Sequence, residues 1–581
     1  MGVSVVERLS AAGLRRGLPV ALVVVPDTGV ALAWAGGREW LPTARPADAV
    51  RELTAIDPRW TWWSARETAA PLIDAGVPLR TCWDLGAVGR LLGGLRRDDP
   101  AAVWAAAHDL PEPVSDRPSL DLFDLDLDDD AGDDDPIRAD GQLSRDWLTG
   151  RWASDAESAR RWASVVLELQ ARQDELLHAV PDPRARPGAT PLAVLTARSE
   201  STAALLSVEL EHDGLPIDRA AATELLTGTI GRRPAGAVEE AAIRVERDQA
   251  VLSRFPGPAV DLRSPAQVRT LLSRIGLDLP DTRSWRLEPH EDTLEPVAAL
   301  LAWRKAERVA TTYGWAWLDR QVGPDGRLRG AWSAADAAAG RMTAQAGLHN
   351  LPATFRPVVR AEPGHVLLRA DLGQIEPRVL AVVSGDPALT EAAREDDMYA
   401  PVAAALSCDR PTAKVAVLAA MYGQTSGAAG AALRDMDRTY PAAMAYLRNA
   451  EQAGVRGNDL RTYGGRRLQL MHALAGSYEP DDRPAIAAHG RYARNAVVQG
   501  AAAELFKAWA GTVRDGLVGL DGQIVLCLHD ELLVHVPAGR YEAARALLVD
   551  ALNSTARWWA AGSAVRFVAE IGIGQSWADA H

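Results

Sequence analysis

Apolar residues change their period along the chain, and each change predicts an element. Leu18-Pro-Val-Ala-Leu-Val-Val-Val25 and Gly29-Val-Ala-Leu-Ala-Trp34 are short, almost continuously apolar runs around Asp27-Thr-Gly29, which predicts a strand pair. Trp60-Thr-Trp-Trp63 and a helical stretch near Leu85 to Leu95 continue an α/β pattern over the first 110 or so residues. Ser158 to Val180 has the spacing of an amphipathic helix, and the Pro-rich Pro181-Asp-Pro-Arg-Ala-Arg-Pro-Gly188 after it predicts a domain boundary. Further helices are expected at Glu200 to Leu210 and over residues 295 to 320, the latter ending near Thr311-Thr-Tyr313. No internal repeat at solenoid period is present.

Two later segments join an apolar pattern to candidate chemistry. Val366-Leu-Leu-Arg-Ala-Asp371 is an apolar strand that ends in a carboxylate, followed by Gln374-Ile-Glu376. Ile524-Val-Leu-Cys-Leu-His529-Asp530-Glu531-Leu-Leu-Val-His-Val536 is two apolar runs with an acidic turn between them. Strands that end in Asp can set two carboxylates side by side at a sheet edge, and such a pair suits two Mg²⁺ ions about 3.5–4 Å apart, the usual apparatus of phosphoryl transfer. Between these segments, Arg410, Lys414, Leu418 and Tyr422 recur every four residues on one drifting helix face, with two cations suited to a triphosphate. Val415, Val417, Ala420 and Met421 are also apolar, which predicts packing on the opposite face. Arg491, Asn495 and Gln499 repeat at the same step.

Composition changes this picture in three places. The chain has 581 residues and 48% apolar content, enough for two to four domains with a sizeable core. No run of 18 apolar residues and no signal-peptide layout is seen, so a cytoplasmic protein away from membranes is expected. Cys82, Cys408 and Cys527 are too far apart for metal spacing and are expected to be free thiols. The net charge of −14 is unusual for a nucleic-acid binder, but Asp121 to Asp135 alone holds nine Asp and no basic residue, which leaves −5 elsewhere. That run is expected to be a solvated loop. Of 63 basic residues only Lys305, Lys414 and Lys507 are lysine. Lysine can donate its proton and arginine cannot readily do so, which singles out Lys414 in its helix.

The order and spacing of Asp371-Leu-Gly-Gln-Ile-Glu376, Arg410…Lys414…Tyr422-Gly423, Asn495-Ala-Val-Val-Gln499-Gly500 and His529-Asp530-Glu531 resemble the motifs of the family A DNA polymerases, the DNA polymerase I type. The resemblance covers roughly residues 200 to 581. Glu209-Leu-Glu-His-Asp-Gly-Leu-Pro-Ile-Asp218 and Ser264-Pro-Ala-Gln-Val-Arg-Thr-Leu-Leu272 resemble the family's thumb, and Gly464-Gly-Arg-Arg467 resembles an element of its fingers. The implied architecture is an α/β, ribonuclease H-like (3′–5′ exonuclease-like) domain over 1–190, carrying the acidic loop 121–135, and an α+β right-hand polymerase domain over 191–581. Within the latter, a thumb is expected over about 191–325, a palm with an antiparallel sheet over about 326–390 and 485–581, and fingers over about 391–484. No residues would then remain for a 5′-nuclease domain.

What the resemblance implies is a template-directed DNA polymerase that adds dNTPs to a primer 3′-hydroxyl, a monomer whose partners are primer–template DNA and dNTPs and whose cofactor is two Mg²⁺. Asp371 and Asp530 would be the metal ligands, with Glu531 supporting them and Lys414 acting in catalysis. Arg410, Lys414, Leu418, Tyr422, Gln374 and Tyr399 would line the nucleotide site, and Glu376 would crowd the sugar's 2′ position. Arg341 (in Ala339-Gly-Arg-Met-Thr343), Asn350 (in His349-Asn-Leu-Pro352), Arg491, Asn495, Gln499 and His529 would contact DNA. Leu418 stands where the family has Phe or Tyr, Tyr399 where it has a phosphate-contacting His, and Pro377 where it has Leu. A 3′–5′ exonuclease needs an Asp-x-Glu strand, yet Asp27-Thr28 is followed by Gly29 and only Asp84 is a later candidate, so a degenerate exonuclease-like domain is expected. An editing nuclease and a non-enzymatic DNA-binding protein are the alternatives.

Overall fold

The computed structural model describes residues 4–113, 134–335, 339–423, 428–470 and 483–580. Most of the acidic run lies outside them; its last two residues, Asp134 and Asp135, are ion-paired with Arg151 and Arg161.

The first sheet has strands β1 (Pro19–Val25), β2 (Gly29–Trp34), β3 (Gly37–Pro42), β4 (Arg59–Trp62) and β5 (Cys82–Asp84), in the order β3-β2-β1-β4-β5. The first three strands are antiparallel, and β1, β4 and β5 are parallel, the ribonuclease H-like layout expected from the sequence. The continuous apolar run of β1 has a simple cause. Ala21, Val23 and Val25 face one core and Val20 and Leu22 face another, so both faces of the strand are covered. The hairpin turn between β1 and β2 carries Asp27 at φ 55°.

Helices α1 (Ala65–Asp74), α2 (Leu85–Gly93), α3 (Ala156–His178) and α4 (Leu192–Asp213) complete this part. Asp84 ends β5 and caps two helices at once. Its carboxylate oxygens accept from the Ala65 amide at 2.6 Å and from the Ala87 amide at 2.8 Å. Burial pushes its pKa up to about 6 against the pull of those two bonds. Among the described residues, no cluster of three His, Cys, Asp or Glu ligand atoms lies in this sheet.

Helix α4 is buried on several faces because it serves three cores. Ala193, Val194 and Ala197 pack into one core of the first sheet, Leu205 and Val208 into the other, and Leu192, Leu206 and Leu210 into the large core of the remaining chain. A separate small core, including Val251, Leu271, Leu300 and Trp303, lies around α5 (Glu295–Thr312).

The second sheet holds β6 (His365–Leu372), β7 (Gln523–Cys527), β8 (Glu531–Pro537) and β9 (Ala569–Gly574), antiparallel throughout, in the order β7-β8-β6-β9. Helices α6 (Ile375–Ser384), α7 (Arg410–Tyr422), α8 (Pro441–Arg456), α9 (Arg483–Leu517) and α10 (Tyr541–Trp559) surround it. Gly454 and Gly490 let α8 and α9 cross closely. A Cβ on Gly454 would lie 2.5 Å from that of Ala493, and one on Gly490 would lie 2.8 Å from Val455 Cγ2.

One buried ionic cluster joins the two halves. Glu200 on α4 accepts from Lys507 on α9 at 2.8 Å and is ion-paired with Arg466 at 2.6 Å. Glu504, one turn from Lys507, accepts from the Thr462 hydroxyl and from the Gly464 amide at 2.8 Å. Lys507, a lysine retained in a chain of arginines, is therefore a buried structural cation.

Asp84→Ala strips two buried amides of their acceptor, and a loss of about 2–4 kcal/mol of stability is expected from the lost caps and unsatisfied donors. The shift of the urea denaturation midpoint of the full chain measures it; an unchanged midpoint would contradict the double-cap account.

Candidate active site

Asp371 lies near the end of β6 and pairs in register with Glu531 on β8 and with Glu570 on β9. Directly opposed residues of antiparallel strands share a face, so Glu531, Asp371 and Glu570 form a row across three strands. Asp530 occupies the turn before β8, where its carbonyl accepts from the Leu372 amide at 2.8 Å. The two aspartates are thus held by backbone pairing at one edge of the sheet.

The electrostatics are those of a crowded anionic site. Burial, then the neighbouring Asp530, push the Asp371 carboxyl up to about 6. Asp530 is also raised, by burial and then by Glu531. Arg369, two residues before Asp371 and on the same face, donates to Asp371 at 2.6 Å and to Glu531 at 2.7 Å. The other Glu531 oxygen accepts from the Trp577 indole at 2.7 Å. Both Glu531 oxygens are therefore occupied.

Beyond Leu372 the chain turns through Gln374, whose left-handed backbone (φ 59°) starts α6. Its side chain bridges forward, donating to Asp397 at 3.1 Å and accepting from the Met398 amide at 3.0 Å. Arg378, fully buried, secures the same loop by donating to the carbonyls of Gly373, Ala393, Glu395, Asp396 and Arg566. Its charge is solvated by backbone dipoles, and burial lowers its pKa.

Helix α7 is capped at its start by Asp409, which accepts from the Thr412 amide at 2.9 Å, and ends at Gly423 with φ 67°. Its exposed face carries Arg410 and Lys414, with half-buried Leu418 and then Tyr422 beyond. Val417, Ala420 and Met421 are buried as expected, but Val415 is 55% exposed and does not belong to the packed face. Arg410 pairs with Asp397, Nε to Oδ2 at 2.6 Å, and its guanidinium lies 5.7 Å from the Tyr399 ring centre. Tyr399 is only 4% exposed, so its hydroxyl is not a surface group; burial pushes its pKa up to about 12. Arg494 on α9 fastens the end of α7 by donating to the Ala420 carbonyl at 2.6 Å.

Two sequence-distant residues meet at Glu376, and a third joins through one of them. Arg341 donates to one of its oxygens, and the Tyr422 hydroxyl lies 3.4 Å from the other. With the Gln499 amide oxygen turned toward it, the Arg341 guanidinium also donates to Gln499 at 2.8 Å. Asn495, one turn before Gln499, buries its amide oxygen without a partner among the described residues, whereas Arg491 is exposed. His349 and His529 meet edge to face at 5.2 Å, and burial followed by His529 lowers the His349 pKa to about 4. Asn350 is exposed, and its carbonyl accepts from Tyr313 at 2.6 Å.

Residues 237–579 match the family described as DNA polymerase family A. The chain belongs to DNA polymerase family A.

Curated relatives are DNA polymerases I. That of Pseudomonas aeruginosa is 29% identical over 371 residues, 56% of this chain and 39% of the relative. That of Chloroflexus aurantiacus is 31% identical over 295 residues, 45% of this chain and 31% of the relative. The thermostable enzyme of Thermus filiformis is 29% identical over 383 residues, 58% of this chain and 44% of the relative. The chain thus aligns with less than half the length of each of these relatives. Among solved structures, the POL domain of Pol1 from M. smegmatis, in complex with DNA primer-template and dNTP, superposes with a TM-score of 0.66 at 22% identity. It covers 99% of this chain and 98% of that one, which extends the shared fold to the N-terminal sheet.

Within this family A chain, sequence reasoning passed over Arg369, Glu570, Arg378 and Trp577. Arg369 had one available signal, its two-residue offset from Asp371 on a strand, which puts both side chains on one face. The others depend on pairings across the fold.

The raised Asp371 pKa sets a pH dependence for the protein without metal. A carboxyl held at about 6 when folded and 3.8 ordinarily binds its proton more tightly in the folded state, so stability falls as pH rises through that window. Asp371→Asn removes the effect. In EDTA at pH 7.5 the variant is expected to melt a few degrees above wild type, with the difference vanishing near pH 4. A lower melting point at pH 7.5 would contradict the desolvated-carboxylate account.

Proposed function

We propose that the chain is a DNA-directed DNA polymerase that extends a primer 3′-hydroxyl with dNTPs on a template. The observation that carries this reading is the desolvated Asp371–Asp530 pair, set beside Glu376 and near the cationic face of α7. The all-oxygen donors, both with raised pKa, fit hard divalent cations. Asp371 and Asp530 would hold two Mg²⁺. Bound there, the ions supply a lowered pKa for the 3′-hydroxyl and neutralise charge on the α-phosphate and the leaving pyrophosphate.

The remaining roles belong to the chain's own side chains. Glu531, gripped by Arg369 and Trp577, acts as a positioning residue for the aspartates. Arg410 would leave Asp397 for the triphosphate, joined by Lys414 one turn on. The 3′-hydroxyl loses its proton to water, its oxygen attacks the α-phosphorus, the bond to the bridging oxygen breaks, and Lys414 donates a proton to the departing pyrophosphate. Leu418 offers the incoming nucleotide apolar contact without aromatic stacking. Glu376, fixed by Arg341 and Tyr422, would crowd a ribose 2′-hydroxyl. Gln499, Asn495, Arg341 and Arg491 would follow the minor groove, where shared acceptors allow a pair's fit to be checked without reading sequence; Asn350 and His529 would touch the primer strand.

The same reading takes residues 1–190 as an exonuclease-like domain without nuclease activity, since Asp84 is spent on capping and Asp27 sits on an exposed turn. It takes the working protein as a cytoplasmic monomer; no helix among the described residues is long and apolar enough to cross a membrane.

Primer extension tests the proposal. Asp371→Ala and Asp530→Ala are each expected to lower single-turnover extension by roughly 10³-fold or more, about 4 kcal/mol of transition-state stabilisation, while primer–template affinity stays near wild type. Extension by either variant within tenfold of wild type would overturn the assignment.

A further inference from the structure

We propose that Glu362, His365 and His535 form a binding site for one Zn²⁺ ion at the end of the second sheet away from Asp371. Their ligand atoms all lie within 4.8 Å of one another, and among the described residues no other group of three His, Cys, Asp or Glu side chains converges in this way. His365 opens β6, Glu362 lies three residues before it, and His535 lies on β8. The register pairs Leu367 with His535, which places the two histidines diagonally on one face. Their rings stack at 4.5 Å with 9° between planes.

Each group has a lone pair to give. His365 Nδ1 lies 3.3 Å from the Pro363 carbonyl, a partner that calls for an N–H there and leaves Nε2 unprotonated. His535 Nε2 accepts from the Glu362 amide at 3.3 Å, so its lone pair is exposed to the cluster but engaged, and the ion would replace this long bond. Both Arg327 contacts to Glu362, at 2.8 Å, fall on Oε1 and leave Oε2 for another partner. Tetrahedral Zn²⁺ with bonds of about 2.0–2.1 Å needs donors about 3.3 Å apart. His535 is buried in the sheet, whereas the Glu362 side chain is 43% exposed and His365 half-buried. These two can rotate inward, His365 leaving its stack, with water as fourth ligand.

Two imidazoles and one carboxylate favour a borderline-soft ion over Mg²⁺ or Ca²⁺. Asp371 lies six strand positions after His365, roughly 20 Å at about 3.3 Å per residue, so the two sites are independent. Arg327 also donates to the Gly214 carbonyl at 3.1 Å, at the end of α4. An ion here would clamp β6, β8 and the loop at Glu362, and through Arg327 the junction after α4: a structural zinc.

Equilibrium dialysis of the EDTA-stripped full chain against Zn²⁺, with millimolar Mg²⁺ present throughout, tests the site by elemental analysis. Wild type is expected to bind one Zn²⁺ more than His365→Ala, with at least about tenfold weaker binding in the variant. Glu362→Gln, which keeps the acceptor for Arg327, is expected to weaken binding in the same sense. Melting curves in EDTA establish that the variants fold. Co²⁺ in place of Zn²⁺ is expected to give visible d–d bands in wild type alone. Equal zinc binding by wild type and His365→Ala, or displacement of the ion by Mg²⁺, would overturn the proposal.

Discussion

The site depends on the register between β6 and β8. Asp371 lies directly opposite Glu531, and the Leu372 amide is bonded to the Asp530 carbonyl. Side chains alternate along a strand, so a slip of one residue would send Asp371 to the far face and bring Ala370 to the site edge. The register is secured by what lies behind it. Leu367, Leu368, Ala370, Leu532, Leu533 and Val534 are fully buried on both faces of the strands, so a slip would undo the packing of both faces and turn Arg369 toward the apolar side of Leu368 and Ala370. The fold's largest apolar term thus enforces the placement of two acidic groups that gain nothing from being there.

That placement is costly, and the surrounding residues show how it is tolerated. Asp371 and Asp530 are partly desolvated and near one another, which raises both pKa values. Arg369 offsets part of the repulsion by bridging Asp371 and Glu531, and Trp577 takes the last Glu531 oxygen. Similar logic holds the approach to the site. Arg378 spends a buried charge on five carbonyls to fix the loop that presents Asp397, and Asp397 in turn holds Arg410. Neither arrangement reads as a stability device, since buried charge seldom raises stability. Both make sense as a site kept poised for a ligand of opposite sign.

Much of this was legible in the sequence because it rests on local pattern. The β1–β2 pair, the helices α2, α3 and α5, and the strand leading to Asp371 follow from apolar period and turn residues. The common face of Arg410, Lys414, Leu418 and Tyr422 follows from helical spacing alone. What stayed hidden depends on pairing between distant segments. Glu570 joins the acidic row only through β9, Trp577 reaches Glu531 from the C-terminal end, and Arg341 meets Glu376 across the fold. Val415 shows the limit of periodicity on a short helix, where one position of drift separates a buried residue from an exposed one. Lys507 looked informative as a rare lysine, and it is, but as the partner of Glu200 in the core.

The central claim is that Asp371 and Asp530, pressed together by the sheet register, are an ion-binding pair. Mn²⁺ binding followed by electron paramagnetic resonance tests it most directly, with a dideoxy-terminated primer–template and the matching dNTP present so that no turnover occurs. The account predicts that wild type binds two more Mn²⁺ ions per chain than the Asp371→Asn, Asp530→Asn double variant, and that DNA affinity is retained in the variant. Equal Mn²⁺ stoichiometry in the two proteins would contradict it.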